Sequence, residues 1–144
     1  MGNNNKRRNK GGNNRPQQYT GKNKDPMGDV GRMEHHAVEV FRDMCRGRYN
    51  LENLFEFQNR DFVYAAIKAA EHEFRMNDII RQALDYTYGM SDDVDVIAQK
   101  NYFQSRCNGW QYIVNTMYAF MQTQDMGMLV GMANMLASNR NLRL

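Results

Sequence analysis

Beyond residue 27 the apolar positions fall at helical spacing and never in the alternation of a half-buried strand. Between Asn59 and Met76, Val63, Ile67, Ala70 and Phe74 recur at i, i+4, i+7 and i+11. Phe62, Ala66 and Ala69 widen that stripe, while Lys68, Glu71 and Arg75 occupy the far face at pairing distance, as a solvated face requires. The spacing predicts a first helix from about Asp29 to Arg46, with Met33, Ala37, Val40, Phe41 and Met44 inward and Gly47 as its stop. Asn50 caps a short second helix, Leu51 to about Gln58, turning Leu54 and Phe55 inward.

The third helix either ends near Met76, with Asn77 capping a fourth that carries Ile79, Ile80, Ala83 and Leu84, or runs on through residue 89. Ser91 is the expected cap of the next helix. Asp92, Asp93 and Asp95 stand in its first turn, where the helix dipole favours them, and Val94, Ile97 and Ala98 face in with Tyr102 or Phe103. From Gly109 a further stripe runs through Trp110, Ile113, Val114, Met117 and Met121. A last helix spans about Asp125 to Ala137, ahead of a short basic segment with Arg140 and Arg143. Pro16 and Pro26 are the only prolines, so nothing after Met27 forbids helix. The fold class expected is all-α: a single small bundle of five or six helices over residues 28–144.

Residues 1–27 have another texture. Lys6, Arg7, Arg8, Lys10, Arg15, Lys22 and Lys24 face one acid, Asp25, and are separated by asparagine, glycine and glutamine. Such a segment cannot offset the ~1–2 kcal/mol per residue that ordering costs, and it reads as a disordered or extended basic arm. Charge sharpens the division. The arm holds seven basic residues against one acidic and carries +6, whereas residues 29–144 hold twelve basic against fifteen acidic and carry −3. The basic character of the chain is therefore the arm's. A mildly acidic body argues against a broad phosphate-binding face there but leaves room for a local basic patch.

Candidate chemistry is sparse. His35 and His36 are adjacent and point about 100° apart on a helix, and the partner that His72 needs at i+4 is Met76, so no metal site is expected. The aspartates at 92, 93 and 95 lack the glycine and glutamate of a calcium loop. Gly11-Gly12 is not followed by a helix, and neither Ser nor Cys sits in a nucleophile elbow, so neither an enzyme nor a cofactor is indicated. Cys45 and Cys107 read as free thiols of a reducing compartment, in the absence of a secretory leader pattern. No apolar run reaches the ~20 residues of a membrane span, and position 6 is Lys where N-myristoylation wants Ser or Thr.

What the sequence suggests is contact with a polyanion. The seven basic residues of the arm would neutralise DNA or RNA phosphates without reading sequence, and Tyr19 could stack on a base. A flexible basic arm ahead of a compact domain is similar in layout to those of viral coat and packaging proteins. The expectation is accordingly a non-enzymatic, intracellular nucleic-acid-associated protein, with a place in a virion as one setting. The alternative is a structural or adaptor protein. In that reading the helical domain binds itself or another protein, and the arm lies on a neighbouring subunit. Twelve methionines suit core packing first and an adaptable surface second, and on that second reading Phe120, Met121, Met128 and Met132 are the expected interface. No membrane and no small-molecule substrate is expected as a partner.

Overall fold

The computed structural model describes residues 26–144, with side chains from residue 28 onward. These residues form helices α1 (Pro26–Cys45), α2 (Leu51–Phe55), α3 (Arg60–Tyr88), α4 (Val94–Thr123) and α5 (Met126–Ser138), with a 3₁₀ turn at Glu56–Gln58. There is no strand among them, so the all-α reading holds with five helices. Residues 33–144 make one packing unit; the first turns of α1, up to Arg32, fall with the preceding residues, and there Arg32 pairs with Asp29.

The core gathers around Trp110 of α4, which is fully buried. Phe41 meets it edge-on at 6.1 Å between ring centres, and Phe57 continues the cluster to Phe62 at 4.9 Å. Met44, Ile113, Met117, Leu129 and Met132 fill the remaining space, so much of the methionine content serves packing. Phe55 was expected inward but is half exposed, and Phe57 takes its place. The cause is the tightening of the chain into a 3₁₀ turn at Glu56, which rotates the next apolar residue into the core.

Of the two alternatives at Asn77 the single long helix holds, and the boundary expected near Gly109 is absent. α3 runs unbroken for 29 residues because Asn77 does not cap: its Nδ2 donates to the Glu73 carbonyl at 2.7 Å, inside the helix. α4 runs for 30 residues, straight through Gly109, where the missing side chain admits another backbone. The cap of α4 is Asp93 rather than Ser91, its carboxylate accepting from the Asp95 and Val96 amides. Asn50 caps α2, and Gly47 ends α1 at φ 70°, both as the sequence implies. α4 stops at Gln124, in the left-handed region, and Asp125 caps α5.

α3 and α4 pair as an antiparallel hairpin about 43 Å long, at 1.5 Å rise per residue. Only its base lies in the bundle. The buried residues of α3 end at Asn77 and those of α4 begin at Cys107, and nothing from Asp78 to Arg106 is buried. Val94, Ile97 and Ala98, expected to face in, are exposed for that reason: the hairpin has left the core before it reaches them.

Candidate functional site

Five of the twelve basic residues of the body line one pocket. Arg42 and Arg46 come from the last turns of α1, Arg106 from α4, and Arg140 and Arg143 from the segment that follows α5. Glu39, Cys45, Tyr102 and Leu142 complete much of the wall, and the cavity holds about 710 Å3. That is ample for a phosphate-bearing unit, within the ~300–1,000 Å3 range of ligand sites.

Local folding sets each group in place. Arg42 and Arg46, four residues apart, share a face of α1. Each is partly neutralised: Arg42 donates to Glu39 at 3.2 Å and to Glu73 at 3.5 Å, and Arg46 to Asp43 at 3.0 Å. Arg106 is held differently. Its Nε donates to Asn77 Oδ1 at 2.8 Å and its Nη1 to the Tyr102 hydroxyl at 3.0 Å, with the guanidinium carbon 5.4 Å from the Tyr102 ring centre. Neutral acceptors fix its direction and leave its charge uncompensated.

Arg140 and Arg143 make no ion pair among the described residues either. Their segment is tied down by the Arg143 amide, which donates to the Ser105 carbonyl at 3.1 Å, and by Leu144, buried against α4 at Gly109. Three guanidinium groups without carboxylate partners thus share one hollow. A phosphodiester, whose two non-bridging oxygens share one negative charge, would relieve their mutual repulsion and accept their forked donors.

The Cys45 thiol at the pocket wall is pushed up to about 11 by burial, against the opposing pull of Arg46 and Arg143. Burial likewise raises Cys107, with Asp78 adding to the effect. Both cysteines are free, and neither is an activated nucleophile.

No protein-family model, no curated protein and no solved structure matches this chain.

The residues expected to hold phosphate from the sequence (Lys6, Arg7, Arg8, Lys10, Arg15, Lys22 and Lys24) and the stacking Tyr19 lie outside the described residues. The expected methionine and aromatic interface divides. Phe120 and Met132 belong to the buried core, and Met121 and Met128 pack half-buried against it. Phe120 and Met121 also line a second hollow of about 500 Å3 with Phe57, Val63, Tyr64 and Met126. His36 pairs with Glu56 at 2.9 Å and packs on Phe62, whereas His35 and His72 are exposed. Among the described residues no three acidic, His or Cys side chains converge as metal ligands, and no helix is long and apolar enough to cross a membrane. Sequence reasoning missed the arginine pocket. The basic pair at 140 and 143 was its one visible signal, and its conjunction with Arg42 and Arg106 arises only in three dimensions.

Proposed function

We propose that this protein binds nucleic acid through backbone phosphates, using the basic residues of 1–27 together with the arginine pocket of the helical body. The observation that carries the reading is the gathering of Arg106, Arg140 and Arg143, none of them in an ion pair among the described residues, on a body whose net charge is −3. An acidic body gains nothing in stability from clustering cations, and a ligand with negative charge accounts for them. Phosphate contacts of this kind position a protein on a nucleic acid and carry no sequence information. The reading is of binding without chemistry.

The test is neutralisation within the full chain. With Lys6, Arg7, Arg8, Lys10, Arg15, Lys22 and Lys24 changed to Gln, affinity for single-stranded and duplex probes falls by two orders of magnitude or more, on the scale of several lost phosphate contacts, about tenfold each at low salt. Unchanged affinity would overturn the reading.

A second reading, assembly through the helical body, is favoured by one observation: the protruding end of α3 carries an exposed apolar stripe.

A further inference from the structure

On α3 the positions Phe62, Ala65 and Ala69 are buried, and they lie on one line at heptad spacing. Continued past the bundle, the same line passes through exposed His72 and then Met76, Ile79, Ala83, Tyr86 and, in the turn after the helix, Met90, with Ile80 beside it. There the core has ended. Met76 is 48% exposed, Ile79 62%, Tyr86 95% and Met90 99%. The line toward α4 is a different one, through Asn77, Arg81 and Tyr88: Asn77 accepts from Arg106, and Lys100 donates to the Tyr88 carbonyl at 3.2 Å. The stripe therefore has no partner within the hairpin.

We infer that this stripe is the seam of a homodimer, in which two α3–α4 hairpins pair antiparallel about a twofold axis through Ala83. The inference rests on the assembly reading above and is independent of phosphate binding.

Three features single out a second copy. First, the stripe is self-complementary about Ala83: Met76 and Met90 lie seven residues either side, Ile79 and Thr87 four, Ile80 and Tyr86 three. A twofold places each of these against its counterpart, as an isologous interface demands, and the smallest residue falls on the axis, where the helices approach most closely. Second, charge matches at the ends. Exposed Arg75, without an ion pair, precedes the stripe, and the exposed Asp92 and Asp93 follow it. Antiparallel pairing sets Arg75 beside the Asp92–Asp93 pair of the second copy, at both ends of the seam. A parallel pairing would oppose like charges. Third, the stripe runs from Met76 to Tyr86 over about three turns of α3, about 15 Å at 1.5 Å per residue, long enough to seat the same stripe of a second copy along its length. The product is a four-helix arrangement built from two hairpins.

The experiment is sedimentation velocity of the full chain at concentrations up to about 50 µM, paired with register-specific cross-linking, since a dimer is populated only by mass action. The wild type sediments as a dimer. Ile80→Glu places a carboxylate in both halves of the seam and raises the dissociation constant about 100-fold, with helical circular dichroism unchanged. Ala83→Cys, on the axis, gives a disulfide-linked dimer under mild oxidant, because only there do Cβ atoms of the two copies come within the ~4 Å that a disulfide needs. Wild type, whose own thiols are buried or half-buried, and Gln82→Cys, off the stripe, do not cross-link.

A strict monomer would overturn the dimer, and a strict monomer from which pull-downs recover no protein partner would overturn the assembly reading as well. A dimer that survives Ile80→Glu, or that cross-links equally through Gln82→Cys, would overturn the seam and leave assembly standing.

Discussion

Asn77 Oδ1 accepts a hydrogen bond from Arg106 Nε at 2.8 Å, joining α3 to α4 at the level where burial ends. Asn77 is the buried polar side chain of the body, and both ends of its amide are used, since Nδ2 donates to the Glu73 carbonyl. The pair performs two tasks at once. It closes the top of the core, and it aims a guanidinium into the arginine pocket without neutralising it. Asn77→Ala removes the acceptor and leaves Arg106 untethered. The expected cost is about 1–2 kcal/mol in urea-induced unfolding, the scale of a part-buried hydrogen bond to a charged group. Asn77→Asp keeps an acceptor but adds a carboxylate, and it lowers phosphate affinity while retaining the tether.

Gly109 and Gly131 give opposite outcomes for the same change. A Cβ at Gly109 would stand 2.2 Å from the Arg143 carbonyl oxygen and 3.0 Å from Leu144 Cδ2. Gly109→Ala therefore expels the segment that holds Arg143 and destabilises the fold by about 2 kcal/mol, as overpacking does. A Cβ at Gly131, on the exposed side of α5, meets nothing within 4 Å. Gly131→Ala is expected to stabilise by about 0.5–1 kcal/mol, through helix propensity and a less flexible unfolded chain. Thermal melts of the two variants check the pair.

The pocket arginines should be felt in the salt dependence. Arg140→Gln and Arg143→Gln together remove two phosphate contacts, so the slope of log K against log salt becomes shallower by about 2. Fluorescence anisotropy at several salt concentrations measures it. Because neither residue makes an ion pair within the body, the unfolding midpoint should not move, which separates loss of binding from loss of fold.

Cys45 offers a pH readout at the pocket wall. Burial disfavours the thiolate, and the group titrates at about 11. Only the thiolate is alkylated, so at pH 8 iodoacetamide should label it on the order of a hundredfold more slowly than a free thiol, whose pKa is ~8.5. The rate should climb about tenfold per pH unit until it nears 11. The same burial means that native stability is lost as pH rises from about 9 through 11, where the unfolded chain ionises its thiol first. Mass spectrometry of timed alkylation, with Cys107 resolved separately, gives the rates.

Element type was legible because each helix carries a local signal: the Val63–Phe74 stripe, the Asn50 cap, the Gly47 stop and the onset of the last helix at about Asp125 were all visible in order. Extents were less so. Asn77 and Gly109 look like boundaries in a sequence, yet one is satisfied sideways by Arg106 and the other makes room for the backbone of residue 143. Both facts depend on partners 29 and 34 residues distant in the chain. The same limit hid the pocket. Net charge described the body as acidic, while folding gathered five of its arginines from three separate segments. Val94, Ile97 and Ala98 show the converse error, since helical periodicity marks an apolar face without saying whether anything covers it.

The central claim, binding through phosphate, is tested most directly by titrating the full chain against single-stranded DNA, duplex DNA and RNA across a range of salt. Engagement of the seven basic residues of 1–27 predicts a slope of about −6 on duplex, and of about −9 if Arg106, Arg140 and Arg143 join them, with little dependence on base sequence. A slope near zero, or binding confined to one base sequence, would contradict it.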